Sequence, residues 1–325
     1  MFADVAAFMK GLMLGSVSCV LMSFLAGGLY KTTPQLLYTN HISHRHIQLP
    51  SNVELKGGPH LTPPRLLCLV LTKPKNLRQW GATRTTWAPH CDKTIFYSPE
   101  NAKVFESVVI PEGANSWSML RSALLHAHDH DIDNFEWFVV CDDSTFVVVE
   151  NLKYFALGKD PEVPYFLGRV QREEELDFVI ASAGMLMSRG TLRRFKIASD
   201  DPKICSNSAS AIGFWLRSQS PSKLLASCLK NMKVHAQNAE DSSGRSLFND
   251  ATVQDLVKRT MSEQGQSSSK GNVIEGCCSD LAITFGNVPA NQMHVLMFGV
   301  YRLRSFGHTY NDLLEFHPVP TAKND

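Results

Sequence analysis

The chain has 325 residues, 44% of them hydrophobic and 19% charged, with a formal net charge of +1. That balance describes a globular chain with room for one large or two small domains, and excludes a disordered one. It also lacks the basic field that nucleic-acid binding needs, so no nucleic-acid partner is expected.

Residues 1–10 carry only Asp4 and Lys10 as charges and are expected to form a short cytoplasmic tail. Residues 11–30, Gly11 to Tyr30, contain no charge and end at Lys31. About 20 apolar residues span a bilayer core as a helix, so a transmembrane anchor is predicted here. The alternative is a cleaved signal peptide with Ala26-Gly27-Gly28 at the cleavage site, but the run is long for one. Charge on the two flanks barely orients the span. The eight cysteines are dispersed and none forms a CxxC pair. They fit disulfides in an oxidising lumen, which places the long C-terminal part there, a single-pass type II arrangement. Gly11, Gly15 and Cys19 are spaced by four and share a helix face, a small-residue pattern that would suit a homodimer or arise by chance. Residues 31–64 mix Thr, Pro, His, Asn and Gly without a period and read as a stem. His41, His44 and His46 within it are expected to be solvated.

The lumenal domain is expected over 65–318, with 319–325 as a tail. Leu66–Thr72 (LLCLVLT) predicts a buried strand, Asn76–Trp87 a helix with Leu77, Trp80 and Trp87 on one face, Thr94–Tyr97 and Val104–Ile110 further strands. Ser116–His128 predicts a helix with Trp117, Leu120, Leu124 and Ala127 inward. The run His126, His128, Asp129, His130, Asp131 resembles a metal cluster but reads as a solvated helix end. Phe135–Val140 is a strand buried on both faces, the pattern of a central parallel strand. It ends in Asp142-Asp143-Ser144, followed by Thr145–Val149 and a helix from Glu150 to about Gly158. Carboxylates at the C-terminal edge of a central strand lie where open α/β sheets bind ligands. Two adjacent aspartates could hold a divalent cation carrying a phosphate, or could simply be a turn that caps the next helix. Tyr165–Val170 and Phe178–Ala183 predict strands around an exposed Glu173-Glu174-Glu175 turn. Ser188 is expected to cap a helix to about Ile197. Ser222–Lys233 predicts another helix. Residues 239–272 are polar and Ser-rich, with one short helix over Thr252–Met261, and read as an insertion or mobile loop. Residues 273–316 close the domain. Alternating strands and helices make this an α/β fold.

Among the cysteines, Cys68 on the first strand is expected to pair with Cys91 after the first helix, and Cys205 with Cys228 around Pro221 and Ser222. Cys141 on the central strand reads as an inert apolar thiol. Cys277-Cys278 is either a vicinal disulfide or two free thiols.

Four stretches, TTWAPHCDK (85–93), WFVVCDDSTFVVVENL (137–152), EGCCSDLAITF (275–285) and VYRLRSFGH (300–308), resemble the β1,3-galactosyltransferase family. LTKPKN (71–76), FYSPENAKVFES (96–107), ENLKYF (150–155), NAED (238–241) and NQMHVLMFGVYRLRSFGH (291–308) resemble one branch of it, the dedicated chaperone of the core 1 β3-galactosyltransferase. The resemblance implies a GT-A fold, a Rossmann-like glycosyltransferase sheet, and favours the vicinal disulfide. Active members carry Asp-Asp-Asp where this chain has Asp142, Asp143 and Ser144. Their metal-binding His falls on Arg302, and their Glu-Asp pair with the candidate base falls on Pro221 and Ser222. No Asp or Glu occurs between Asp201 and Glu240 to replace that pair. The resemblance therefore implies a non-catalytic chain with a degenerate site, no bound metal and no cofactor, and Arg302 standing near Asp142 or Asp143 in place of the cation. It implies a chaperone of the endoplasmic reticulum membrane with the core 1 β3-galactosyltransferase as client. The alternatives are an active galactosyltransferase using UDP-galactose and GalNAc-Ser/Thr, and a glycopeptide-binding pseudoenzyme.

Overall fold

The computed structural model describes residues 63–72, 76–101, 105–110, 116–205, 220–266 and 278–303. The expected tails, the span 11–30 and the stem up to residue 62 lie outside the described residues. No helix among the described residues is long and apolar enough to cross a membrane.

The chain opens with β1 (Leu66–Leu71), α1 (Leu77–Thr85), β2 (Lys93–Ser98), β3 (Val108–Val109) and α2 (Ser116–Asp131). It continues through β4 (Trp137–Asp142), β5 (Phe146–Val147), α3 (Val149–Ala156), β6 (Phe166–Gly168), β7 (Val170–Glu173), β8 (Leu176–Val179) and β9 (Met185–Ser188). Then come α4 (Arg189–Asp200), α5 (Pro221–Lys230), β10 (Ala236–Asn238), β11 (Phe248–Asn249), α6 (Val253–Gln266), β12 (Thr284–Phe285) and α7 (Ala290–Tyr301).

Seven strands make the main sheet in the order β10-β6-β9-β4-β1-β2-β3, and β11-β12-β5 form a small second sheet. In the main sheet β9 runs antiparallel to both neighbours and the other pairings are parallel. Because side chains alternate along a strand, β1 feeds two cores. Leu66, Cys68 and Val70 join Trp80, Leu152 and Phe248 on one face, while Leu67 and Leu69 join Leu120, Leu192 and Leu225 on the other. Burial on both faces is why β1 and β4 are continuous apolar runs.

Two expected disulfides form, Cys68–Cys91 and Cys205–Cys228. Cys141 is a free, buried thiol. Cys278 is disulfide-bonded, and residue 277 lies outside the described residues.

Several expectations need correcting. Met185–Ser188 is a strand, although no strand is predicted there. It sits in the middle of the sheet because Gly184, at φ 74°, turns the chain into it. Ala181–Ala183, expected as strand, is a 3-10 turn. The strand expected over Val104–Ile110 shrinks to β3. Residues 239–272 are not simply an inserted loop. Ala239, Leu247 and Phe248 are fully buried, and Phe248 pairs with Thr284 in the second sheet. The His-rich end of α2 is helical to Asp131, where the buried Asp131 carboxylate takes Lys93 at 2.7 and 2.8 Å. The His126 and His130 rings stack at 4.3 Å. Among the described residues no group of three or more His, Cys, Asp or Glu could hold a metal ion.

Candidate functional site

The candidate site lies at the carboxyl end of β4, where Asp142 pairs in register with Leu71 of β1. Here the chain leaves the sheet in a tight turn. The Asp143 amide donates to Leu71 O at 3.2 Å and the Thr145 amide to Asp142 O at 3.2 Å. The side chain of Asp142 closes the turn. Its Oδ1 accepts from the Ser144 amide at 3.0 Å, Ser144 Oγ at 2.7 Å and Thr145 Oγ1 at 3.0 Å. Bonds from donors to a carboxylate are the stronger kind, so this oxygen is fixed. No hydrogen bond from a described residue reaches its Oδ2.

The wall behind the turn is α1 and the entry to α7. Gln79 Nε2 donates to Asp143 O at 3.0 Å and to Val288 O at 2.7 Å. Thr83 Oγ1 donates to the same Asp143 O at 2.8 Å, and the Val288 amide to Ser144 O at 2.8 Å. Below the turn, burial pushes the Cys141 thiol well up, with Asp142 and Asp143 adding to it. That thiol stays protonated and acts as packing. Beside the turn the chain is tight. A Cβ on Gly286 would stand 2.0 Å from Ser182 O, so glycine is required for the close approach. Arg169 Nη1 meets Asp250 Oδ1 at 3.0 Å, and Asn287 Nδ2 donates to Asp250 O at 2.8 Å.

Asp142, Asp143 and Ser144 are thus held together, whereas Arg302 is elsewhere. It is exposed and follows α7, which begins two residues after Val288, the donor to Ser144 O. A helix of that length is about 18 Å long, so Arg302 stands roughly that far from the start of α7. The far end is pinned separately. Tyr301 OH donates to Glu150 Oε2 at 2.5 Å, and His90 Nδ1 meets Glu150 Oε1 at 2.7 Å. Burial would raise the Glu150 carboxyl, but the bonds from His90 and Tyr301 outweigh it and hold the group below its ordinary value. The Arg302 amide closes the end of α7 by donating to Phe298 O at 3.0 Å. Pro221 and Ser222 begin α5, with proline in the first turn, where its fixed φ and missing N–H suit a helix start. Ser222 is buried, and α5 packs against β8.

Gln79, Thr83, Thr145 and Val288 are absent from the expected site. The helix pattern points to Leu77 as a core residue, but Leu77 is 40% exposed while Gln79 and Thr83 are buried. A polar pair on the inner face of a helix was the available signal.

No family model matches the chain. The chain is 25% identical over 288 residues to "Glycoprotein-N-acetylgalactosamine 3-beta-galactosyltransferase 1" of Xenopus laevis, covering 85% of this chain and 76% of that protein. A 95-residue stretch is 30% identical to "Chondroitin sulfate synthase 3" of Mus musculus, spanning only 10% of that longer protein. Among solved structures it is similar to a glycosyltransferase involved in glycosylation of the major capsid of PBCV-1, at 13% identity and a TM-score of 0.41 over 72% of this chain and 99% of that one. The galactosyltransferase LgtC follows at 9% identity and 0.39 over 74% and 97%. Structural scores at that level add no weight of their own.

These findings overturn the expectation of a non-catalytic chain. The relative matched over most of the chain is named for galactosyl transfer. The substituted positions also leave no visible defect at the turn. Ser144 donates into Asp142 rather than leaving a gap, and Pro221 and Ser222 start a well-packed helix. The chain is glycosyltransferase-like and related to a β3-galactosyltransferase.

Proposed function

We propose that this chain is a glycosyltransferase that takes UDP-galactose at the Asp142–Ser144 edge and transfers galactose to GalNAc on Ser or Thr of a glycopeptide. The observation that carries this reading is the anchored Asp142 carboxylate. One oxygen is fixed by three donors and the other is left by the described residues for a ligand, at the strand edge where open α/β sheets bind. The relationship to a galactosyltransferase supplies the substrate class. A hard oxygen on a fixed turn fits a divalent cation that is shared with the substrate's phosphates. Such a cation would neutralise charge on the departing nucleoside diphosphate. Incubating the full chain in detergent with manganese, UDP-galactose and a GalNAc-peptide should give transfer above a blank, and Asp142→Ala should abolish it. Absence of both transfer and UDP binding in the unaltered chain would overturn the proposal.

A second role is favoured by one surface, and it does not require loss of catalysis. Val295, Phe298 and Leu303 are 68%, 54% and 56% exposed. They lie in the stretch 291–308 that resembles the core 1 enzyme's chaperone. A partly folded α/β client exposes apolar strands, and such a face could hold them. Binding must favour the partly folded client over the native one, since equal affinity shifts nothing. Co-expression with the core 1 β3-galactosyltransferase should raise that enzyme's soluble activity, and Phe298→Glu should remove the gain. An unchanged yield would end this role. In either role we place the domain in the lumen of the endoplasmic reticulum, behind the anchor 11–30. Protease protection in sealed microsomes would check that placement.

A further inference from the structure

We infer that Gln79 and Thr83 of α1 are positioning residues for the aspartate turn, fixing it from behind so that Asp142 meets its ligand already oriented. This rests on the donor site proposed above. Both side chains are buried, Gln79 at 7% and Thr83 at 0% exposure. The Gln79 amide faces two carbonyl oxygens, Asp143 O and Val288 O. A carbonyl can only accept, so the NH2 end must lie there, each N–H serving one carbonyl. Thr83 gives Asp143 O its second bond. Val288 closes the ring, because its own amide donates to Ser144 O. The sulfur of the fully buried Met293 lies 3.6 Å from Gln79 Nε2 and 3.5 Å from Thr83 Oγ1, filling the remaining space on α7.

The turn therefore hangs by its main chain from α1 and from the segment that leads into α7, while the Asp142 carboxylate is tied only to residues of the turn. Rotating the Asp143 or Ser144 peptide would leave buried carbonyls without donors, which is disfavoured in a water-free interior. Neither Gln79 nor Thr83 faces the open side of the turn. Their effect runs through backbone placement, and small misplacements of a binding group cost affinity and rate.

Two substitutions in the full chain separate positioning from simple core filling. Gln79→Met keeps the length and removes both N–H groups. It should raise the KM for UDP-galactose about tenfold, the order expected for lost buried hydrogen bonds, with kcat within about twofold. Gln79→Glu sets a carboxylate against two carbonyls at neutral pH, and protonation returns one donor. Its donor KM should therefore fall toward the unaltered value as pH is lowered, a slope absent from the Met variant. Unchanged KM values in both folded variants would overturn the inference. Thr83→Val removes one donor at nearly constant shape and serves if the Gln79 variants fail to fold. It should give a smaller rise in KM, and no rise would count against the inference. Hydrogen exchange gives a readout independent of activity. The Asp143 and Thr145 amides should exchange about tenfold faster in Gln79→Met, or more modestly so in Thr83→Val, with β2 amides unchanged. If the unaltered chain neither binds nor transfers the donor, the donor-site proposal fails and exchange alone decides. Faster exchange confined to the turn supports positioning, and equal exchange overturns it.

Discussion

Asp142 and Asp241 each close a tight turn, and their carboxylates are partnered in different ways. Asp241 Oδ1 accepts from the Ser243 and Arg245 amides, both at 2.9 Å, and its Oδ2 takes Arg245 Nε at 2.8 Å. Its side chain is only 5% exposed. Burial would raise its carboxyl, but bonds from Ser279 and from the Arg245 amide and guanidinium hold it below the ordinary value. Asp142 has hydroxyls and one amide on a single oxygen, and no cationic side chain among the described residues pairs with it. An aspartate already paired with arginine on one oxygen and with amides on the other has nothing left to offer a ligand. One held by neutral donors on one side keeps its charge available. That difference is why we propose Asp142, and not Asp241, as the binding group.

The largest test of that contrast is Asp142→Ala. Transfer should fall on the order of 100-fold or more, the size of effect seen when a group stabilising developing charge is removed. Melting temperature should fall by only a few degrees, because the buried Thr145 hydroxyl loses its acceptor while the backbone bonds of the turn remain. A fall in stability with full activity would reverse the assignment. Asp241→Ala should do the opposite, costing about 2 kcal/mol of stability by removing the acceptor of the Ser243 and Arg245 amides and one of the partners of the Arg245 guanidinium. The donor KM should stay constant, and denaturant titration beside steady-state kinetics reads both. Acid sharpens the comparison further. Asp241 and Glu150 have depressed folded pKa values. Their stabilisation is complete above the ordinary carboxylate pKa, about 4, and is lost as pH falls through the lower folded values. Melting temperature should therefore be flat above about pH 5 and decline below about pH 4, with Asp241→Asn reducing the decline. The smallest effect belongs to Ser144→Ala. Losing one of the three donors to Oδ1 should raise the donor KM about threefold and leave melting temperature within about 2 °C.

How legible the fold is in the sequence depends on how local its determinants are. β1 and β4 are readable because burial on both faces makes them apolar throughout. The Ser188 cap is readable because its partner, the Thr191 amide, is three residues away. β9 hides because its four residues, MLMS, run directly into the helix that Ser188 caps. The Ser-rich composition of 239–272 masks Leu247 and Phe248, whose burial depends on β12, a strand some 35 residues later. The aspartate pair of the site is visible, but its support is not. Gln79 reaches carbonyls 64 and 209 positions away, and no periodicity announces such partners.

The Cys68–Cys91 and Cys205–Cys228 disulfides have a consequence for how the chain can be assembled. Each joins cysteines separated by 23 positions, one linking β1 to the segment before β2, the other linking the segment after α4 to α5. Each loop is short and local, so oxidation can fasten it soon after its residues emerge. Neither bond spans the places where the sheet departs from chain order. The strand β4 must still settle between β1 and β9, and β6 between β9 and β10. Early oxidation thus secures two separate pieces without dictating how they join. The joining is left to strand pairing, which remains free to reverse and correct itself after the covalent links are made.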